Sequence, residues 1–198
     1  MLGLAFAGAV AGCSDTAVPS PTSTTDRAGA GVALPAGHRW VQVPTQAVTI
    51  AVPQAWVDFA STDTPEALAA AAEAMGTTVE DLQANLPAAT LLQVRAPSPD
   101  PSNINAVVID LETLPSDAEL TSQFEEAGAR EVTPRAVHTA AGDAVLITYD
   151  RPLSGGTVHG AGLFVDLGSS LLNLSVTSPD RATVTTRAEA LVRSIHLS

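Results

Sequence analysis

Residues 143–177 read DAVLITYDRPLSGGTVHGAGLFVDLGSSLLNLSVT and carry the clearest pattern in the chain. Asp143 to Tyr149, Thr157 to Leu167 and Leu171 to Thr177 are read as alternating stretches, separated by Ser154-Gly155-Gly156 and Gly168-Ser169-Ser170. A period of two broken by short glycine turns predicts three consecutive antiparallel strands. Ile147, Leu174 and Val176 are expected in one buried layer, with Asn173 facing away from it. Gly160 and Gly162 fall inside a strand, where glycines mark a bulge or close packing rather than a nucleotide loop.

The pattern extends on both sides. Ser178-Pro179-Asp180 opens a last helix, with Val184, Ala188, Leu191 and Ile195 at helical spacing. Upstream, Thr90 to Ala96, Ile104 to Glu112 and Val132 to His138 read as strands. The connection from Ala96 to Ser102 holds Pro97, Pro99 and Pro101, which continue neither neighbouring strand. Ser116 and Glu119 form a capping box for a helix with Leu120, Phe124 and Ala127 on its apolar side, ending at Gly128. Thr64, Pro65 and Glu66 start another helix that Gly76 ends. Thr77 and Glu80 have the spacing to cap a short second one, with Val79, Leu82 and Leu86, stopped by Pro87. This pair caps one end of a sheet or covers a groove.

The first strands are Trp40 to Val43 and Val48 to Val52, the latter with Val48, Ile50 and Val52 on one face and Pro53 at its end. Trp40 and Trp56 bracket this pair. Their rings pack a sheet edge or form an aromatic ligand platform, and they are the candidate ligand-binding residues. Strands in tight-turned pairs, broken by a few helices, predict an α+β domain: an antiparallel sheet with helices on its faces.

Composition bounds the function. With 198 residues, 45% hydrophobic and 15% charged, the chain fits one domain, taken as residues 38–198. A net charge of -12 repels phosphate backbones and anionic headgroups, which excludes nucleic acid as a partner. All nine basic residues are Arg; that, with abundant Ala, Gly, Val and Pro, points to a high-GC genome such as an actinobacterium's.

At the start, Leu2 to Gly12 is too short to span a bilayer but fits the apolar region of an export signal, here without its basic leader, as though residues 1–12 were a truncated signal peptide. Val10-Ala11-Gly12-Cys13 resembles the lipobox of bacterial lipoproteins. That resemblance implies cleavage before Cys13, lipidation of its thiol and an extracytoplasmic, membrane-anchored protein. Cys13 is the only cysteine, so anchoring leaves no thiol for disulfides, metal or nucleophilic chemistry. Residues 13–37, rich in Ser, Thr, Pro and Gly, are expected to form a disordered tether.

No cofactor or metal is expected. His38, His138, His159 and His196 make no i, i+4 pair, and there is no HExxH, GxSxG or phosphate loop. A minor alternative brings His138 and His159 together across strands, with Asp143 or Asp166 as a metal ligand or base. Two function classes follow. A binding module predicts a groove, whereas a small metal-independent or His-dependent envelope hydrolase predicts a Ser or Asp beside His138 or His159 in a pocket. A tethered sensor domain is the third.

The order of elements, with Val48-Thr49-Ile50-Ala51-Val52-Pro53 followed by Trp56 and a closing strand Leu171 to Thr177 plus terminal helix, resembles the LpqN-type lipoproteins of mycobacteria and relatives. The helical pair from Thr64 to Leu86 departs from their pattern. The resemblance implies a PsbP-like α-β-α sandwich and a non-catalytic envelope lipoprotein, accessory to lipid or glycolipid traffic through a hydrophobic envelope ligand or other envelope proteins. It supplies no catalytic residues.

Overall fold

A computed structural model describes residues 31–60, 63–84, 89–111 and 113–198. The elements run β1 (His38–Val43), β2 (Val48–Pro53), β3 (Val57–Ala60), α1 (Pro65–Ala74), α2 (Val79–Ala84), β4 (Thr90–Arg95) and β5 (Asn103–Ile109). They continue with α3 (Asp117–Glu126), β6 (Arg130–Thr139), β7 (Gly142–Leu153), β8 (Gly156–Asp166), β9 (Leu171–Ser178), α4 (Arg181–Ser194) and β10 (His196–Leu197). All strand pairs within the two sheets are antiparallel.

The meander expected from residues 143–177 is β7, β8 and β9, and it sits inside a seven-stranded sheet ordered β3-β4-β5-β9-β8-β7-β6. β1, β2 and the two-residue β10 make a separate three-stranded sheet. The α+β class with helices on the sheet faces is the one the pattern predicts. β3 and β10 are additions: four and two residues are too few for alternation to show.

Local chemistry sets the helix ends. Thr64 accepts the Ala67 N–H at 3.3 Å with Pro65 in the first turn, and Gly76 follows the helix at φ +64. Ser116 and Glu119 close both halves of the capping box, and Gly128 takes φ +85 beyond the end. For α2 the cap is one residue later than expected: Thr78, not Thr77, accepts the Asp81 N–H at 3.0 Å. Leu86, Pro87 and Glu112 lie outside the described residues. Asp180 caps α4 by accepting the Ala182 and Thr183 N–H groups.

Each face of the large sheet has its own cover. On one face Leu92, Val94, Ile104, Ala106, Leu146, Leu163, Leu174 and Val176 pack with the small sheet's Val41, Ile50 and Val52 and with Val184, Ala188 and Leu191 of α4. On the other, Val145, Ile147 and Phe164 pack under Leu120 and Phe124 of α3, and Phe59 packs under Leu68 and Leu82 of the helical pair. Ile147 is therefore not in the layer of Leu174 and Val176. Leu146 pairs with Leu163, which pairs with Leu174, whereas Ile147 pairs with Gly162 on the opposite face. Ala144 to Ile147 are all buried, so β7 offers no alternation there to fix its register.

Candidate functional site

Three places bring chemistry-bearing side chains together. The first lies where the far end of β7 meets the start of α4. Cross-strand pairing sets Asp150 opposite His159, and Asp150 Oδ1 meets His159 Nδ1 at 2.7 Å. The other oxygen, Oδ2, is bound by Arg181, which also reaches Glu131 at 2.9 Å. The Asp150 side chain is only 12% exposed, and the Arg181 guanidinium and the hydrogen bond with His159 offset the cost of desolvating it. Asp180 stands nearby with its carboxyl held below the usual range, chiefly by the Thr183 hydroxyl and N–H, with a smaller contribution from His159.

An imidazole fixed by a carboxylate is two thirds of a hydrolytic triad, and the missing part is the nucleophile. Ser178 is the register partner of His159, but its Oγ accepts the Asp180 N–H at 3.0 Å and lies 2.8 Å from Ser102 Oγ. The Ser102 Oγ in turn contacts Asp100 Oδ1 at 2.5 Å. The adjacent hollow, of about 200 Å³, is lined by Asp180, Ala182, Thr183, Thr186 and Arg187, and not by His159.

The minor alternative, a meeting of His138 with His159, does not occur. His138 pairs with Asp143 at the beginning of β7 and His159 with Asp150, seven positions on, roughly 24 Å at the ~3.4 Å rise of an antiparallel strand. His138 and Asp143 are both more than four-fifths exposed, and Asp166 accepts the Gly168 N–H in the next turn. Among the described residues no group of three His, Cys, Asp or Glu side chains could hold a metal ion.

The second place holds the tryptophans, which occupy different surroundings. Trp56 is 7% exposed within the main core, with the Arg187 guanidinium 5.6 Å from its ring and Arg39 donating to its carbonyl. Trp40 is half-buried and alternates with the core residues Val41 and Val43, so it stands on the other face of the small sheet. There its ring meets the edge of His196 at 4.8 Å. Nδ1 of His196 donates to the Ser194 carbonyl at 2.9 Å, and its Nε2 is buried with no partner among the described residues. Cys13 lies outside the described residues.

The third place was not singled out from the sequence. Between the helical pair and α3, the large sheet presents Gln93, Asn103, Asn105, Asn173, Ser175 and Thr177 on one face, as the register of β4, β5 and β9 requires. Gln93 is 7% exposed and the others are half-buried. Asn105 and Asn103 alternate with Ile104 and Ala106, as Asn173 and Ser175 do with Leu174 and Val176. The alternation was legible, but it took the pairing of β5 with β9 to gather both polar sets into one patch. Tyr149 borders it, half-buried against Phe124 at 4.8 Å, and burial pushes its phenol above the ordinary value.

No family model matches the chain, and no curated protein matches it. Solved structures do. Cyanobacterial PsbP from Synechocystis is 10% identical, covers 86% of this chain and 96% of its own, and superposes with a TM-score of 0.51. The Saccharomyces cerevisiae Ran-binding protein Mog1p is 11% identical over 81% of this chain and 95% of its own, TM-score 0.49. LpqN, involved in cell envelope biogenesis of Mycobacterium tuberculosis, is 14% identical over 76% of this chain and 83% of its own, TM-score 0.43. The likeness to cyanobacterial PsbP shows a PsbP-like fold, as the family resemblance implied.

Proposed function

We propose that the protein is a non-catalytic lipoprotein of an actinobacterial cell envelope, of LpqN type, anchored through lipidated Cys13 and a tether over residues 13–37, whose domain (residues 38–198) binds a ligand or another envelope protein. The observation that carries this reading is the polar sheet face. Asn173 and Ser175 are half-buried and make no side-chain hydrogen bond among the described residues. Half-buried polar groups without protein partners are open to hydrogen bonds from a ligand, which is the character of a binding surface. A role beside lipid or glycolipid traffic fits the envelope address. Trp40, with part of its ring open, is then the aromatic contact for a hydrophobic segment, and Trp56 the buried support behind Arg187. No cofactor takes part in this reading.

The address is tested by fractionation. Cys13→Ala should move the protein from the membrane fraction to soluble or secreted material. Continued membrane retention of the variant would contradict the anchor.

One observation favours a second reading, a small hydrolase: the His159–Asp150 pair. Its test is ester or glycoside turnover by the purified chain that disappears in His159→Ala while the fold is kept. Turnover unchanged in the variant, or none at all, removes this reading.

A further inference from the structure

We propose that the sheet face between the helical pair and α3 is a saccharide site, taking an uncharged, hydroxyl-rich ligand. This rests on the binding-module reading and names the ligand class for it. The register builds the face in rows. Gln93 stands beside Asn105, which stands beside Ser175 and then Gly162; the next row runs Arg95, Asn103, Thr177, Gly160. These two rows and Asn173 carry no carboxylate, and Arg95 at the margin is their one charge.

The amides are already aligned. Gln93 Nε2 donates to Asn105 Oδ1 at 2.8 Å, Asn105 Nδ2 to Asn103 Oδ1 at 3.0 Å, and Asn103 Nδ2 to Thr177 Oγ1 at 2.8 Å. A chain running in one direction fixes which atom of each amide is the donor. Asn103 Nδ2 also donates to the Pro101 carbonyl at 3.5 Å, so what the chain leaves for a ligand is the second N–H of Gln93 and of Asn105, the Gln93 carbonyl and the Thr177 hydroxyl proton. Vicinal sugar hydroxyls each donate and accept, so a fixed alternation of neutral donors and acceptors suits them. Apart from Arg95 at the margin, an ion would find no compensating charge on the face.

The border adds the remaining features of such a site. Tyr149 lies over Gly160, the register partner of Thr177, so an aromatic ring and its hydroxyl stand beside the end of the amide chain. Phe124 backs that ring. At the opposite margin, Arg95 opens into a hollow of about 300 Å³ that Met75, Thr77 and Asp100 also line. Asn173 and Ser175, between the two margins, supply half-buried polar groups that no protein side chain engages and that a ligand can reach.

The test titrates the purified full chain with maltotriose and with cellotriose, followed by backbone amide NMR shifts. Saturable shifts are expected on β4, β5 and β9, and the Asn173→Leu/Ser175→Val double variant should weaken binding at least about tenfold, or ~1.4 kcal/mol. Thr177→Val provides the same readout should the double variant fail to fold. Absence of shifts with both sugars, or shifts elsewhere that survive the substitutions, overturns the saccharide assignment. If an envelope lipid nevertheless co-purifies with the wild-type chain, only the saccharide assignment falls and the binding module stands; sugar cleavage dependent on His159 would remove the binding-module reading itself.

Discussion

The ring of Tyr149 occupies the space that a side chain at residue 160 would need. A Cβ placed on Gly160 would come within 3.0 Å of Cζ, Cε2 and Oη of that ring, closer than real Cβ atoms come. The glycine inside β8 is thus explained by close packing.

Gly160→Ala should therefore cost about 1–3 kcal/mol through overpacking and push the ring outward. Tyr149 is the only tyrosine, so absorbance titration reads it alone. Burial raises its pKa, and a raised folded-state value means stability that is whole below the unfolded value, about 10, and is lost as pH rises through the folded one. In Gly160→Ala the phenol should titrate nearer its ordinary value. An unchanged titration with unchanged stability would show that the ring is not held there.

Leu174 is fully buried in the main core, and Asn173 beside it is half-buried on the opposite face. Leu174→Ala should cost about 2–5 kcal/mol in chemical denaturation, and Asn173→Ala less than about 0.5 kcal/mol. Equal costs would mean that the register of β9 is shifted.

The capping box at α3 predicts a pH effect. Glu119 is held below the ordinary glutamate range by hydrogen bonds from the Ser116 hydroxyl and N–H. Its folded-state value is depressed, so its contribution is present above the unfolded value, about 4.3, and is lost as pH falls through the folded one. Ser116→Ala should cost about 1 kcal/mol at neutral pH and return Glu119 toward its ordinary titration, measured by carboxyl NMR. A Glu119 titration indifferent to the substitution would contradict the cap.

Much of this architecture could be read from residues that act locally. The turns at Gly155-Gly156 and Gly168, the caps at Thr64, Ser116 and Asp180 and the stripe of Val184, Ala188 and Leu191 each depend on neighbours in sequence. What could not be read depends on distant partners. β10 exists because His196 and Leu197 meet Thr49 and Val48, and the buried face of Ile147 follows from its pairing with Gly162. The same holds for the sites. Asp150 and His159 become a pair only through the β7–β8 register, and the amide face forms only when β5 meets β9.

The most direct test of the binding-module account is mass spectrometry of small molecules that co-purify with the intact protein from its native envelope. The account predicts that a defined envelope compound is retained by the wild-type chain, depleted in Asn173→Leu/Ser175→Val and recovered chemically unchanged. A compound recovered only as its hydrolysis product, with intact compound accumulating in His159→Ala, would contradict it.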